Sequence, residues 1–223
     1  MHCQYCKGTC QKAGKQRNGA QKLYCGDCQK YQQSTYRHRA YEEGVTSMIA
    51  KLVCESVNMR GIARVLNISV NTVLARIRRI GANIERPIVA EPNPVFEVDE
   101  LWTYIGRKDN EYWVAYGLDK ATGRVVDFVI GKRTKGTLKL LIDSLLNFQL
   151  KKICTDNLTI YQRLIPAAIH QRGAYCINHI ERKNLSIRTH GKRLSRRTIC
   201  FTRNITLLGS CPKIYFWAKG CMA

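Results

Sequence analysis

The order of strand and helix patterns between residues 95 and 190 constrains the fold of this chain more than any other feature. Three runs with the alternation typical of β-strands come first, and two turn-forming segments, RKDNE and KATGR, separate them. The predicted elements, in chain order, are strands at 95–105, 112–118 and 125–130, a helix at 135–148, a strand at 152–155, helical turns at 158–170, a strand at 175–177 and a helix from His179. Strands interleaved with helices in this way predict a mixed α/β domain.

The β-β-β-α-β-α-β-α order is that of the ribonuclease-H-like fold, in which the first strand lies centrally and the fourth strand pairs beside it. An acid in the first strand and an acid at the end of the fourth are then neighbours, and an acid on the last helix lies over both. Asp99, Asp156 and Glu181 occupy these three positions. The sequence therefore predicts an α/β fold with a mixed α+β sheet on which three distant acids converge.

Three convergent carboxylates are typical of metal-dependent phosphoryl transfer. Two divalent cations roughly 4 Å apart can bind the attacking and the leaving oxygen of an in-line displacement. Hard cations such as Mg²⁺ (or Mn²⁺) prefer oxygen ligands. We therefore predict that Asp99, Asp156 and Glu181 are the catalytic residues and the magnesium ligands. Glu97 and Glu100 flank Asp99, and either could be a ligand or could support one.

The surroundings of Glu181 favour a role in metal binding. Glu181 is the only acidic residue after Asp156, and twelve Lys and Arg share that stretch with it. A solvated helix normally mixes charges of both signs, so a lone acid needs a reason. The alternative is an incidental ion pair with Arg182 or Arg188.

The net charge of +21, from 37 Lys and Arg against 16 Asp and Glu, points to a polyanionic partner. The basic excess lies in residues 1–92 and 157–223, whereas residues 93–156 are nearly neutral and hold nine of the acids. Surfaces that grip nucleic acid on both sides of a cation-binding site have this distribution. The alternatives are an RNA binder of ribosomal type and a merely basic surface.

Cys3, Cys6, Cys25 and Cys28 form the pattern C-x2-C-x18-C-x2-C. Each C-x2-C turn points two thiolates at one metal, and two such turns complete a tetrahedron, so the spacing predicts a zinc ribbon. Four protein ligands close the site, and we therefore predict structural Zn²⁺. Cys10 could replace one ligand, but it breaks the spacing.

The sequence has no pattern of export or membrane insertion. The first ten residues contain no apolar stretch, and no run of eighteen apolar residues occurs. We therefore expect no membrane partner and no disulfide framework for the eleven cysteines. The expected location is the cytoplasm of a bacterium or archaeon, in association with the nucleoid.

Residues 45–81 show the periodicity of three helices, with Ser69 as a predicted N-cap of the third. A short helix, a tight turn and a helix with a polar and basic outer face fit a helix-turn-helix. The alternative is a helical hairpin with a solvated basic face. The predicted DNA contacts in this segment are Ser69, Asn71, Thr72, Arg76, Arg78 and Arg79.

The basic residues that follow Glu181 form a second candidate DNA contact. Arg188 lies seven residues after Glu181 and therefore returns to nearly the same helical face. The run that begins at Lys192 would follow the DNA backbone. The predicted contacts here are Arg188, Lys192, Arg193, Arg196 and Arg197.

Residues 85–94 hold three of the five prolines and are the predicted linker. This linker predicts a chain of three domains. They are a zinc-ribbon DNA-binding finger at 1–38, a helix-turn-helix DNA-binding domain at 39–84 and, after the linker, a ribonuclease-H-like catalytic domain at 95–223.

Several segments resemble the transposases of the insertion-sequence-one family: VDELW at 98–102, TDN at 155–157 followed by Tyr161, and IERKNLSIRTHGKRLSRRTICFTRN at 180–204. LYCGDCQK at 23–30 and the helix-turn-helix resemble the first half of that family. The resemblance implies a three-acid (DDE) core, with the acids at Asp99, Asp156 and Glu181. It also implies a zinc finger and a helix-turn-helix that bind terminal inverted repeats in double-stranded DNA.

The activity implied by the resemblance is hydrolytic nicking followed by strand transfer into target DNA, by a homo-oligomer assembled on the DNA ends. Two other functions stay open at this point. One is a nuclease on the same scaffold that cleaves DNA without joining ends. The other is a non-enzymatic DNA-binding regulator that has lost the chemistry of its catalytic half.

Overall fold

The computed structural model describes residues 1–17, 19–33, 39–89, 92–195 and 201–218. The chain divides into two compact units, Met1–Glu43 and Gly44–Ala223. Within the described ranges, no helix is long and apolar enough to cross a membrane.

The first unit is a small antiparallel sheet whose strands follow one another in chain order. Its elements are β1 (Cys10–Lys15), β2 (Gln21–Cys25), β3 (Tyr31–Gln33) and a single 3-10 turn at Arg39–Tyr41. Among the described residues, the apolar cluster of this unit contains four cysteines and Leu23. So little hydrocarbon is buried that the unit needs another source of folding free energy, which a bound metal supplies in domains of this kind.

The second unit begins with three short helices: α1 (Val45–Cys54), α2 (Met59–Leu66) and α3 (Val70–Asn83). The predicted N-cap of α3 is confirmed, because the Ser69 hydroxyl accepts the backbone N–H of Thr72 at 3.1 Å. Asn67, with φ of 50°, turns the chain between α2 and α3. Ile62, Val73 and Ile77 are fully buried, so α2 and α3 share one apolar contact.

A five-stranded mixed sheet follows, in the order β6-β5-β4-β7-β8. The strands are β4 (Val95–Tyr104), β5 (Glu111–Asp119), β6 (Val125–Gly131), β7 (Lys152–Thr155) and β8 (His170–Arg172). β4, β5 and β6 pair antiparallel, whereas β7 pairs parallel with both β4 and β8. The predicted central place of the first strand, beside the fourth, is confirmed.

Helices cover both faces of this sheet: α4 (Lys135–Leu146), α5 (Thr159–Gln162), α6 (Asn178–His190) and α7 (Ile205–Trp217). One apolar core joins the sheet to α4 and α5, with Phe96, Leu141 and Tyr161 among its members. The other joins it to α6 and α7, with Leu101 and Ile180. Alternate side chains of β4 therefore point into different cores. As a result, adjacent acids on this strand contact different residues.

The predicted strand at 175–177 is wrong. The fifth strand is β8 at His170–Arg172, and Ala174–Cys176 forms a 3-10 turn. The helical turns predicted at 158–170 shorten to α5. β8 is a polar edge strand that pairs with β7 alone, so it lacks the apolar alternation by which a half-buried strand is found.

The sequence patterns did not predict helix α7. This helix connects the three helices at residues 44–84 to the sheet, so they belong to the same unit as the sheet. α7 packs on α3, α1 and β6. A side chain on Gly81 of α3 would lie 2.7 Å from Ser210 of α7, which shows how closely the helices approach. The described residues at 85–89 and 92–94 carry no helix or strand. The predicted division into three domains with a linker at 85–94 stays a prediction.

Candidate active site

The register of two parallel strands brings Asp99 and Asp156 together. Val98 pairs with Thr155, the last residue of β7. Asp99 directly follows Val98 and Asp156 directly follows Thr155, so the two acids are neighbours. Oxygen atoms of Asp99, Glu100 and Asp156 all lie within 4.8 Å of one another. The adjacency predicted for the first two acids is therefore observed, with Glu100 as a third member.

Asp99 is held from two sides. The backbone N–H of Glu100 donates to its Oδ1 at 2.8 Å, and the Asn184 amide of α6 donates to its Oδ2 at 2.5 Å. The Tyr116 hydroxyl of β5 donates to Asn184 Oδ1 at 2.7 Å. This chain of bonds fixes the orientation of the Asp99 carboxylate and ties α6 to the sheet. No sequence pattern indicates the contact between Tyr116 and Asn184, because the two residues are 68 positions apart.

Glu100 points to the opposite face of β4 and is buried there. The Tyr161 hydroxyl donates to Glu100 Oε1 at 2.7 Å, and Arg133 donates to Oε2 at 3.2 Å. The Arg133 guanidinium also lies over the Trp113 ring, 4.6 Å from its centroid. Glu100 is thus an ion-paired, hydrogen-bonded member of the acid cluster.

Burial and mutual repulsion disfavour the charged forms of Asp99 and Glu100. Burial raises the pKa of Asp99, and the charges of Asp156 and Glu181 raise it further, against the bonds from Glu100 N–H and Asn184. Burial also raises the pKa of Glu100, and Asp99 and Asp156 add to the effect, although Tyr161 and Arg133 oppose it. A cation among these oxygens would relieve both effects, and the donor set of hard carboxylate oxygens fits Mg²⁺ or Mn²⁺.

Glu181 lies in the first turn of α6 and is exposed. It shares a helical face with Asn184, three residues on, and Asn184 contacts Asp99. Its charge reaches Asp99, but its carboxylate lies outside the group defined by 4.8 Å. The structure therefore places Glu181 on the helical face that meets the acids, and its role as a metal ligand stays a prediction.

The residues predicted to contact DNA on α3 differ in exposure. Asn71, Arg78 and Arg79 are exposed, whereas Arg76 is half-buried and donates to Thr46 Oγ1 at 3.4 Å. The hydroxyl groups of Ser69 and Thr72 lie 2.8 Å apart in the helix cap. Ser69 is exposed and Thr72 is half-buried, and the contact between their hydroxyl groups holds the start of α3.

The second predicted DNA contact follows α6. Arg188 is half-buried, Lys192 is exposed, and Arg193 is half-buried with its guanidinium 3.4 Å from Thr202 Oγ1. Arg196 and Arg197 lie outside the described residues.

The four predicted zinc ligands meet in the first unit. Sγ of Cys3 is 3.5 Å from Sγ of Cys28, Sγ of Cys6 is 3.5 Å from Sγ of Cys25, and all four lie within 4.8 Å of one another. Tetrahedral zinc with bonds of about 2.3 Å requires sulfur separations of about 3.8 Å, which this group fits. Cys10 pairs with Cys25 across β1 and β2 but lies outside the group.

The pKa values of the four thiols diverge: those of Cys3 and Cys25 are lowered, whereas hydrogen bonds to neighbouring thiols and burial raise the pKa of Cys6 to about 12 and also raise that of Cys28. Burial opposes ionisation of Cys3, but backbone N–H groups of Cys6 and Tyr5 are directed at its sulfur and lower the pKa to about 6. The N–H groups of Cys28 and Asp27 do the same for Cys25, whose pKa is lowered. A soft cation bound by four sulfurs is the ligand that this arrangement fits.

Comparison with known proteins places the chain among transposases. The sequence profile of the family described as IS1 transposase matches residues 94–215. The insertion element iso-IS1n protein InsB of Shigella dysenteriae is 35% identical over 113 residues, which are 51% of this chain and 86% of that protein. The insertion element IS1 protein InsB of Shigella flexneri is 33% identical over 111 residues, which are 50% of this chain and 85% of that protein.

A chain of the cryo-electron microscopy structure of a simian T-cell lymphotropic virus intasome, in complex with the PP2A regulatory subunit B56 gamma, gives a weaker match. Its TM-score is 0.39 and its identity 16%, over 78% of this chain and 65% of that chain, and a likeness of this size supports no inference. The family profile, in contrast, spans more than half of the chain and includes all three predicted acids. This chain therefore belongs to the IS1 transposase family and is a DDE-type insertion-sequence DNA transposase.

Proposed function

We propose that this transposase binds the terminal inverted repeats of its element, hydrolyses a phosphodiester bond at each end and joins the new 3′-hydroxyl to target DNA. The observation that carries the proposal is the pairing of Val98 with Thr155. It sets Asp99 beside Asp156, while the Asn184 bond holds the helix of Glu181 against the same place.

Asp99, Asp156 and Glu181 would hold two Mg²⁺ or Mn²⁺ ions. Bound there, such ions make water or a 3′-hydroxyl a better nucleophile and stabilise the departing oxygen. The chain itself supplies orientation, because Asn184 and the Glu100 N–H leave Asp99 one preferred direction. Arg133 offsets part of the negative charge through Glu100.

We assign the catalytic domain, residues 95–223, to the ribonuclease-H-like fold. The support is the strand order, with the first strand of the domain central and the fourth parallel to it, and the position of α6 beside the acids. Residues 1–38 would form the zinc ribbon, with Zn²⁺ held by Cys3, Cys6, Cys25 and Cys28, and residues 39–84 the helix-turn-helix.

For end recognition, we propose that α3 enters the major groove with Asn71 towards the bases and Arg78 and Arg79 towards phosphates. Asn71→Ala should then lower the preference for the terminal repeat over unrelated DNA about 5- to 150-fold, the cost of one base contact. Arg79→Ala should weaken binding to both DNAs equally and reduce the slope of log affinity against log salt by about 1. Equal effects of the two substitutions on both DNAs would contradict base reading by α3.

Because both ends of an element must be processed together, we propose a homo-oligomer assembled on the paired ends. Bound to its DNA substrate, this assembly would be associated with the nucleoid. Ultracentrifugation with and without DNA that carries the terminal repeat tests it. A protein that binds paired ends as a monomer would contradict it.

The chemistry is tested with two DNAs made from the inverted repeats that flank the gene: an intact end, and a pre-cleaved end with a free 3′-hydroxyl. We expect Mg²⁺-dependent nicking of the first and joining of the second to target DNA. Asp156→Asn should abolish both reactions and leave binding unchanged, whereas Asp119→Asn, which changes a buried acid at the end of β5, should keep both reactions.

The outcomes distinguish the alternatives. Nicking without joining would indicate a nuclease. Unchanged reactions in the Asp156→Asn variant would remove Asp156 from the site and overturn the assignment.

A further inference from the structure

Glu97 is a fully buried carboxylate that the chemistry proposed above does not use. Its Oε2 accepts the backbone N–H of Ile180 at 2.7 Å, and its Oε1 accepts His179 Nδ1 at 2.9 Å. Lys120 Nζ lies 3.4 Å from the same Oε1. Two of these three partners belong to the first turn of α6.

Helix α6 needs such a partner. The first N–H groups of any helix lack acceptors within the helix, and the side chain of Ile177, at the N-cap position, makes no capping bond. Glu97 therefore caps α6 from the sheet rather than from the helix's own sequence. A negative charge at a helix N-terminus is also favoured by the helix dipole.

The cap lies next to the proposed metal ligand. Glu97 precedes Asp99 by two residues and shares its strand face, and Ile180 immediately precedes Glu181. One turn further along α6, Asn184 bonds to Asp99. The helix is thus tied to β4 at two points, by Glu97 before Glu181 and by Asn184 after it.

We propose that Glu97 is a positioning residue, which docks the first turn of α6 on β4 and thereby sets Glu181 against Asp99 and Asp156. This proposal rests on the proposed function, because it takes Glu181 to be a metal ligand. Glu97 acts through Glu181 and touches no reacting atom.

The site requires a carboxylate rather than a polar group of similar size. Two acceptor oxygens face three donors, from Ile180, His179 and Lys120. A glutamine has one acceptor oxygen, and its amide NH₂ group would face a donor. Glu97→Gln should therefore keep the volume of the core and loosen the start of α6.

The test uses the full chain and two measurements. Hydrogen exchange of the metal-free protein should show the Ile180 amide exchanging about tenfold faster in Glu97→Gln, because a bond to a charged acceptor is lost. Calorimetric titration should show that Glu97→Gln binds Mn²⁺ about 10- to 100-fold more weakly than the wild type. This is the usual loss when a group that orients a metal ligand is changed.

The matched control is Asp119→Asn, another acid-to-amide change at a buried position of the same sheet. Asp119 caps its own turn through Thr122 and Ala121 and pairs with Phe96, the neighbour of Glu97. Its variant should keep both the α6 exchange rates and the Mn²⁺ affinity. A second variant, His179→Ala, removes a half-exposed partner and should shift both readouts in the same direction by less, which keeps the test open if Glu97→Gln does not fold.

A double-mutant cycle decides whether Glu97 acts through Glu181. If it does, Glu97→Gln/Glu181→Ala binds Mn²⁺ no more weakly than Glu181→Ala alone. Additive losses, or normal Mn²⁺ affinity in Glu97→Gln and His179→Ala, would overturn the positioning role alone. Normal affinity in Glu181→Ala would overturn the ligand set of the proposed function, and the positioning role with it.

Discussion

At the scale of single residues, four positions of β4 hold three acids with different partners. Glu97 and Asp99 face α6, whereas Glu100 faces Tyr161 on the other side of the sheet. The sequence could place Asp99, because strand order and the step to Asp156 define its neighbours. It could not assign different roles to Glu97 and Glu100, because two of the partners that distinguish them, Ile180 and Tyr161, lie 83 and 61 residues away.

The raised pKa values predict the pH dependence of metal binding. Burial and neighbouring acids raise the pKa of Asp99 and Glu100, and a cation binds the carboxylate form. As the pH is lowered, protonation of these acids should weaken Mn²⁺ binding. The affinity should begin to fall at a higher pH than it would if the ligands had the pKa of an exposed aspartate. Titration calorimetry across pH measures this. An affinity that stays constant down to the ordinary titration range of aspartate would contradict it.

The same repulsion predicts a stability effect in the metal-free protein. Acids with raised pKa values favour the folded state at low pH, and this contribution is lost as the pH rises through those values. Asp156→Asn removes one charge from the cluster and should raise the melting temperature at neutral pH, by about 2–4 °C for each kcal/mol relieved. Added Mn²⁺ should stabilise the wild type and not the variant. A lower melting temperature for the metal-free variant would show that the acids do not repel.

At the scale of elements, strong apolar periodicity correctly predicted most of the helices and the central strands. β8 and α7 have weak apolar periodicity, and the sequence did not predict them. β8 is polar because it lies at the sheet edge. α7 carries Pro212 and Gly209, which interrupt a helical reading. Its Asn204 cap, which accepts the N–H groups of Thr206 and Leu207, and its apolar residues were the available signals. Packing against α3 and the sheet stabilises a helix that local sequence alone does not predict.

The contact between α3 and α7 gives a prediction at this scale. Gly81→Ala places a methyl group within 2.7–2.8 Å of Ser210, so overpacking should cost about 1–3 kcal/mol, partly offset by the higher helix propensity of alanine. Gly209→Ala on α7 meets no atom within 4 Å and should stabilise the protein by about 0.5–1 kcal/mol. Urea unfolding measures both. Equal shifts for the two variants would contradict the close approach of the helices.

At the scale of the whole molecule, the two units have different sources of stability. Among its described residues, the unit of residues 44–223 has an apolar core on each face of its sheet. The unit of residues 1–43 has its cysteine cluster and Leu23 among the described residues. The cysteine spacing predicts a metal site in the first unit, whereas the packing of residues 44–84 on α7 had no signal in the sequence.

This difference predicts independent unfolding. Cys25→Ser should release zinc and unfold residues 1–43, while the sheet unit keeps its melting temperature and its Mn²⁺ affinity. Zinc analysis and hydrogen exchange along the chain measure the two parts separately. A variant that retains stoichiometric zinc would contradict the four-cysteine ligand set. Loss of exchange protection in β4–β7 would contradict independence.

We propose that β4, β7 and α6 bring three carboxylates together around divalent cations, and the whole chemistry depends on this convergence. The most direct measurement is the anomalous scattering of Mn²⁺ in crystals of the protein bound to its terminal repeat. We predict metal density between the carboxylates of Asp99 and Asp156, with an oxygen of Glu181 among the ligands. Density elsewhere, or density at Asp99 and Asp156 with Glu181 turned away, would contradict the account.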